Sequence, residues 1–156
     1  MASPHLVLRD AVATDVDALT DLFLAARRTA MPYLPALHTD AQTRWWLAEI
    51  VLRDCRVRVA EADGQVAGFA AIADGWLHHL YIAPACQGTG VGSALLDDAK
   101  GIAAGGLQLY AFQRNERALC FYRRRGFVEE AYGDGSGNEE HEPDVRMRWV
   151  ATSCTS

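Results

Sequence analysis

A glycine-rich segment, Gln87-Gly-Thr-Gly-Val-Gly92, most strongly limits what this chain can fold into. It lies between a strand-like run, Trp76–Ile82, and a helix-like run that carries Leu95, Leu96 and Ala99 on one side. Glycines permit positive φ and let the backbone approach a ligand closely, and the amino terminus of a helix attracts anions. The segment therefore predicts a strand–loop–helix unit that can hold a phosphate group.

The remaining chain alternates short strand-like segments with longer helix-like ones, which favours the α/β (α+β) class. Asp63-Gly64 and Asp74-Gly75 are dipeptides typical of tight hairpin turns. We therefore expect three consecutive antiparallel strands around them. The predicted strands are Leu6–Leu8, Val57–Ala62, Gln65–Ile72, Trp76–Ile82, Leu107–Phe112, Phe127–Tyr132 and Val145–Val150.

Capping residues mark the predicted helices. Thr14 is expected to cap a first helix that ends near Arg28. Thr39 and Gln42 have the spacing of a capping box, which predicts the start of a second helix. The third helix follows the glycine segment, and a fourth is predicted from about Glu116 to Arg125.

Length and composition favour one globular domain. The 156 residues are expected to form a single domain, 1–156 with a core of about 6–150, and half of them are apolar. A net charge of −5 gives no general attraction to nucleic acid or to anionic membranes. No signal peptide or membrane span is recognised in the sequence. The spacing of the four cysteines predicts neither a disulfide framework nor a zinc site. We therefore expect a cytoplasmic protein. These cysteines are Cys55, Cys86, Cys120 and Cys154.

Two common phosphate-binding patterns do not match the glycine segment. A nucleotide P-loop ends in Gly-Lys-Ser/Thr, whereas Gly92 is followed by Ser93 and Ala94. A dinucleotide fingerprint has the spacing GxGxxG and an acidic residue at the end of the next strand. Here the spacing is GxGxG, and the next strand ends at Phe112 without an acid. A nucleotide-dependent kinase or oxidoreductase therefore stays a remote alternative.

A third pattern matches. Gln87, Gly90 and Gly92 fit Gln/Arg-x-x-Gly-x-Gly/Ala, and Leu80-Tyr-Ile-Ala-Pro84 precedes them. With a second segment downstream, the chain resembles the GNAT superfamily of acetyl-CoA-dependent N-acetyltransferases, in particular a bacterial subgroup of unassigned acceptor. The likeness extends over Leu6–Val150 and is sharp from Leu77 to Phe127. The downstream segment consists of Asn115, Ala118, Phe121, Tyr122, Gly126 and Phe127.

This resemblance implies a mixed, mostly antiparallel sheet of about seven strands with four helices, splayed between the fourth and fifth strands. The pantetheine arm of acetyl-CoA would lie in that gap, and loop N–H groups would hold its diphosphate, with no metal expected. Asn115 would contact the arm or, alternatively, cap the next helix. The implied cofactor-binding residues are Leu80, Tyr81, Ile82, Gln87, Gly88, Thr89, Gly90, Val91, Gly92, Ser93 and Asn115.

The same resemblance places Tyr122 as the general acid that protonates the leaving thiolate, and a phenol suits that task because its reference pKa is about 10. A base for the amine is expected on the fourth strand, at His78 or His79, since imidazole titrates near neutrality. Side chains alternate along a strand, so only one of the two faces the cleft unless a bulge intervenes. His78 is preferred, because strict alternation would place it on the same face of the strand as Trp76 and Leu80. Some relatives, however, carry a glutamate base where this chain has Trp76.

The acceptor wall is expected from the first two helices and their connection, with Arg28, Tyr33, His38 and Trp46 as substrate-binding candidates. An acidic loop, 135–144, could attract a cationic amine or be only a solvated connection. The predicted activity is acetyl transfer to a primary amine of a small molecule, peptide or protein, by direct attack in a ternary complex. The alternative is a non-catalytic acyl-CoA-binding sensor or regulatory domain, and a homodimer is expected only by analogy.

Overall fold

The computed structural model describes residues 5–151 of the chain. Seven strands form one sheet in the order β1-β2-β3-β4-β5-β7-β6. Every neighbouring pair is antiparallel except β4 and β5, which are parallel. The strands are β1 (Leu6–Asp10), β2 (Arg56–Ala62), β3 (Gln65–Ala73), β4 (Trp76–Ile82), β5 (Gly106–Phe112), β6 (Val128–Gly133) and β7 (Asp144–Val150).

Four helical segments accompany the sheet, as the sequence predicted. The second of them has three parts: α2 (Asp40–Trp46), a π-helical stretch (Leu47–Val51) and the short α3 (Leu52–Asp54). Short 3-10 turns at Ala13–Asp15 and Pro84–Cys86 precede the first and third segments. No helix among residues 5–151 is both long and apolar enough to cross a membrane. The helices are α1 (Val16–Ala30), α2 (Asp40–Trp46), α3 (Leu52–Asp54), α4 (Val91–Ile102) and α5 (Glu116–Arg124).

The helix starts confirm one capping prediction and correct another. Thr39 and Gln42 form the predicted capping box at the start of α2, with reciprocal bonds of 3.1 and 2.8 Å. Thr14 does not cap α1, because it lies inside the preceding 3-10 turn. Asp15 is the residue that precedes α1, but its side chain does not cap that helix; it accepts a 2.7 Å hydrogen bond from the Val12 N–H, at the start of the 3-10 turn. Helix α1 runs to Ala30.

Both predicted hairpins form. Asp63 and Gly64 have φ of 51° and 80°, and Asp74 and Gly75 have φ of 52° and 79°. Two successive residues at positive φ give type I′ turns, whose twist matches that of paired strands. The three consecutive antiparallel strands β2, β3 and β4 therefore follow from local sequence signals.

The apolar core has two parts, one on each face of the sheet. We call the face under α1 and α2 the front face, and the face under α4 and α5 the back face. The front cluster is centred on Leu19, Phe23, Leu47, Val59 and Phe69. The back cluster is larger and includes Leu77, Leu95, Leu96, Leu107, Leu109, Phe127, Val145 and Met147.

Strands β4 and β5 diverge as predicted. Their pairing is limited to Trp76 opposite Gln108, and a 3.0 Å hydrogen bond joins the Gln108 N–H to the Gly75 carbonyl. Beyond that point the two strands separate, so the β5-facing edge of residues 78–82 is not paired with β5. An unpaired parallel edge offers backbone donors and acceptors to an extended ligand.

Candidate active site

The glycine loop projects its backbone into open space at the wide end of this gap. Gly88 has a φ of 78° and Gly90 a φ of 92°, while a Cβ added at either would meet nothing within 4 Å. These two glycines are therefore required for backbone conformation, not for lack of room. Gly90 is also the residue that caps α4. The loop is exposed at Gly88, Thr89 and Gly90.

The first turn of α4 leaves backbone donors available. The Ala94 N–H bonds the Gly90 carbonyl at 3.0 Å, as the first bond of the helical ladder. The N–H groups of Val91, Gly92 and Ser93 precede that bond and therefore lack intrahelical acceptors. Since the helix dipole adds positive potential at the same end, this turn is suited to a phosphate group.

Gly92 and Ser93 connect the loop to α5. A Cβ at Gly92 would lie 3.4 Å from the Phe121 ring, so the glycine permits close packing of the two helices. The Ser93 hydroxyl accepts hydrogen bonds from Arg125, at 2.5 Å from Nη2 and 3.2 Å from Nε. The Arg125 guanidinium also stacks 3.8 Å from the centroid of Phe121. This contact places the Arg125 cation beside the start of α4.

Tyr122 lies on α5 between two aromatic rings. Its ring centroid is 5.3 Å from that of Phe121 and 5.5 Å from that of Phe127. Burial raises the pKa of Tyr122 well above its usual value, and the neighbouring Tyr81 raises it further. The phenol therefore keeps its proton at neutral pH, and its ring packs on the same back cluster as Leu80 and Ile82 of β4.

A bulge in β4 changes the expected positions of the two histidines. Ala71 pairs with His79 and Ile72 with Leu77, so β4 has one residue more than β3 at this point. Leu77 and Leu80 consequently both join the back cluster although they are three residues apart. Strict alternation, on which the preference for His78 depended, fails here because a bulge inserts an unpaired residue.

It is His79, not His78, that lines the cleft over the front cluster. The His79 ring packs perpendicular to Trp46 at 4.9 Å and lies 6.4 Å from Phe23, while His78 is exposed. Burial, together with the nearby His78 and Arg27, lowers the pKa of His79 to about 4. A neutral, weakly basic imidazole therefore lines the cleft at physiological pH.

This low pKa predicts that the protein loses stability as the pH falls from about 6.5 to about 4. The unfolded chain binds a proton at His79 over most of that window and the folded chain does not, which favours unfolding by roughly 2–3 kcal/mol. Urea unfolding at pH 7 and pH 4.5 measures the change. His79→Phe, which keeps an aromatic ring at the site, should lose less stability between the two pH values. An equal loss in both proteins would contradict the inference.

A cleft of about 780 Å³ opens over the front cluster. Its walls come from α1, the connection 31–38, α2, and the acidic loop at Glu139 and Glu140. Of the four predicted substrate-binding residues, Arg28, His38 and Trp46 line it and Tyr33 does not. Other residues that line it, beyond the named candidates and His79, include Phe23, Arg27, Met31, Leu34 and Trp45.

The charged groups of the cleft are paired with one another. Arg27 bonds Glu140 at 3.0 Å, Arg28 bonds Asp40 at 2.8 Å, and His38 lies 3.1 Å from Glu139. The acidic loop thus closes against the first helix and its connection, instead of presenting free carboxylates to an incoming cation. What the cleft offers in excess is aromatic and aliphatic surface.

Tyr33 belongs to a different contact. The Arg114 guanidinium lies 3.9 Å above the centroid of its ring and pairs with Glu142. The Tyr33 hydroxyl is buried with no hydrogen-bond partner among residues 5–151, and burial raises the pKa of this phenol. The contact between Tyr33 and Arg114, which pairs with Glu142, therefore helps to hold the acidic loop against the connection that precedes α2.

The remaining predicted cofactor residues surround the gap. Leu80 and Ile82 pack on the back cluster, whereas the Tyr81 ring joins the front cluster, 4.8 Å from Phe23. The Asn115 side chain accepts a 3.3 Å hydrogen bond from the Ala118 N–H, which is the capping alternative. Gln87 lies at the end of the 3-10 turn that leads into the loop.

Comparison with protein families agrees with this geometry. Residues 53–129 match the family described as "Acetyltransferase (GNAT) domain", a range that contains the gap, the loop and Tyr122. The chain is 26% identical over 152 residues to the peptidyl-lysine N-acetyltransferase YiaC of Escherichia coli (strain K12). That match covers 92% of this chain and 96% of YiaC.

Solved structures share the fold. YjaB from Escherichia coli, in its apo form, superposes with a TM-score of 0.76 at 22% identity, covering 95% of this chain and 99% of that one. The PaiA N-acetyltransferase from Thermoplasma acidophilum, in complex with coenzyme A, gives a TM-score of 0.72 at 19% identity, covering 94% and 99%. Residues 53–129 of this chain therefore match the GNAT acetyltransferase domain, and by class the protein is an acyltransferase.

Proposed function

We propose that the protein transfers an acetyl group from acetyl-CoA to a primary amine by direct attack in a ternary complex. The observation that carries this proposal is the combination of three features: the splayed β4–β5 edge, the open glycine loop and the protonated phenol of Tyr122. Each supplies one requirement of the reaction.

The residues present fit coenzyme A. A diphosphate would bind at the loop, where Gly88 and Gly90 leave open space and the N–H groups of Val91, Gly92 and Ser93 lack helical acceptors. The unpaired edge of β4 would bond the amides of the pantetheine arm. Bound acetyl-CoA supplies an activated thioester, whose C–S bond breaks as the new C–N bond forms.

Tyr122 is proposed as the proton donor to the departing sulfur. Tyr122 carries its proton at neutral pH, because its pKa is raised above that of an ordinary phenol. Since thiols have a reference pKa of about 8.5, transfer to the thiolate is uphill and is completed only as the phenolate is reprotonated. The acceptor nitrogen releases one proton to solvent, and solvent returns one proton to the Tyr122 phenolate, so that protons balance over the reaction.

Activation of the amine is proposed to depend on desolvation. An alkylamine with a reference pKa near 10.4 is mostly protonated at pH 7, and its neutral form costs about 4–5 kcal/mol. The burial that lowers the pKa of His79 acts in the same direction on an ammonium group in this cleft. His79 itself is too weak a base to deprotonate a lysine-like amine directly. The exposed His78 stays a candidate for relaying the proton to water.

A lysine side chain is one acceptor that this proposal includes, because YiaC, whose name gives peptidyl-lysine as acceptor, is similar along nearly its whole length. All seven strands share one sheet, which supports one catalytic domain. Three cysteines are free among the described residues, Cys55, Cys86 and Cys120, while Cys154 lies outside them. We propose a reducing, cytoplasmic setting on that basis.

A thiol-release assay with acetyl-CoA and a panel of amines, amino acids and lysine peptides tests the proposal. We expect at least one acceptor to release CoA in step with an acetylated product detected by mass spectrometry. Tight acetyl-CoA binding by calorimetry, with no CoA released across the whole panel, would instead favour a sensor domain.

A further inference from the structure

A second pocket, of about 500 Å³, lies on the front face beyond the reach of α1 and α2. Tyr110 of β5 and Arg146 of β7 form its floor, where they are directly opposite each other in the sheet register. The segment from Asp134 to Asn138 forms one wall. The family resemblance assigned no role to this pocket.

Arg146 has no anionic partner there. Its Nε is buried and makes no hydrogen bond with any residue in the range 5–151, and none of the ion pairs in that range includes it. Most other arginines of the sheet are paired, as Arg58 is with Asp98 at 2.8 Å. A guanidinium that is partly withdrawn from water without a counterion is unfavourable, and a bound oxyanion would relieve this.

The two carboxylates near the pocket are already engaged. Asp134 accepts a 2.9 Å hydrogen bond from the Ser136 N–H, which lowers its pKa. Asp144 accepts a 3.2 Å hydrogen bond from the Asn138 side chain. Neither is within ion-pair distance of Arg146, so the guanidinium fork remains available to a ligand.

Aromatic side chains connect this pocket with strand β4. The Tyr110 ring is 61% exposed and stacks on Trp76 of β4, with centroids 5.3 Å apart and planes within 13°. Trp76 in turn lies 6.5 Å from His78, beside the bulge. A molecule seated on this stack would have one end at the β4–β5 gap and the other at Arg146, about two strand spacings away, or roughly 10 Å.

We propose that Arg146 binds the carboxylate of the amine acceptor, so that the acceptor class is a small amino acid-like molecule with an apolar or aromatic body. This inference rests on the proposed function. The planar fork of arginine matches a carboxylate bidentately, and the Tyr110–Trp76 stack offers a flat surface to the body between the two ends.

A matched pair of acceptors tests the proposal. Benzylamine and 4-(aminomethyl)benzoate share the amine and the ring and differ in the carboxylate. We expect KM for the carboxylate compound to be at least about tenfold lower in the wild type, a preference that Arg146→Gln abolishes and Arg146→Lys reduces. Arg148→Gln is the control, because Arg148 lies two residues along the same face of β7 and outside the pocket. Arg148→Gln should keep the full preference.

A binding measurement separates this inference from the proposed function. Calorimetry with 4-methylbenzoate, which has no amine, should show binding to the wild type and to Arg148→Gln but not to Arg146→Gln. Such binding without acetylation of any amine would overturn the proposed function and leave the carboxylate site standing. Acetylation of both compounds with equal KM, with no binding of 4-methylbenzoate, would overturn the carboxylate site alone. Arg146→Gln should melt at or above the wild-type temperature, since it breaks no ion pair.

Discussion

Tyr122→Phe is expected to lower kcat by about 10²–10⁴-fold while leaving the affinity for acetyl-CoA nearly unchanged. The substitution removes one hydroxyl and keeps the ring between Phe121 and Phe127, so packing of α5 is preserved. The leaving thiolate then has to take its proton from water. Steady-state kinetics with calorimetry of acetyl-CoA binding separates the loss of chemistry from any loss of binding.

Cys120→Ser is a matched control for this experiment. Cys120 lies two residues earlier on the same helix and is exposed, so its replacement should leave kcat within about twofold. Should Tyr122→Phe turn over at the wild-type rate, Tyr122 would have no part in proton transfer.

Gly90→Val is expected to weaken coenzyme A binding by about 100-fold or more. A β-branched residue at a φ of 92° is strained by roughly 1–3 kcal/mol, so the loop would shift and its N–H groups would no longer point at the diphosphate. Gly90→Ala, which has no branched Cβ, should give a smaller loss. Calorimetric titration with coenzyme A measures both.

Gly101→Ala distinguishes conformational strain from a general effect of replacing glycine in this helix. Gly101 lies inside α4, which Gly90 caps; it has no positive φ, and an added Cβ there would meet nothing within 4 Å. We expect unchanged coenzyme A affinity and a gain in stability of about 0.5–1 kcal/mol. Equal affinities for Gly90→Val and Gly101→Ala would contradict the assigned role of the loop.

The elements that local sequence signals specify were predictable. The two Asp-Gly turns, the Thr39 capping box and the glycine loop each depend on residues within a few positions of one another, and all three formed. The splay between β4 and β5 was predictable only through the family resemblance, since no local pattern encodes two parallel strands that diverge.

The site details that failed depend on contacts between distant segments. His79 replaces His78 in the cleft because β4 has an extra residue relative to β3, and a bulge is a property of the pair of strands. Tyr33 points away from the cleft because Arg114, 81 positions later, stacks on its ring. The sequence also did not indicate that Arg146 lacks an ion-pair partner among the described residues. Asp144 lies two residues away along the chain, but its carboxylate accepts a hydrogen bond from Asn138 instead.

The central claim is that the backbone around Gly90 binds the diphosphate of coenzyme A while the splayed edge of β4 holds the pantetheine arm. Calorimetric titration of the wild-type protein with coenzyme A and with pantetheine, which has the same arm but no diphosphate, tests it most directly. We predict that coenzyme A binds at least about 100-fold more tightly than pantetheine, because several charge-assisted hydrogen bonds depend on the phosphates. Equal affinities for the two compounds, or no measurable binding of coenzyme A, would contradict it.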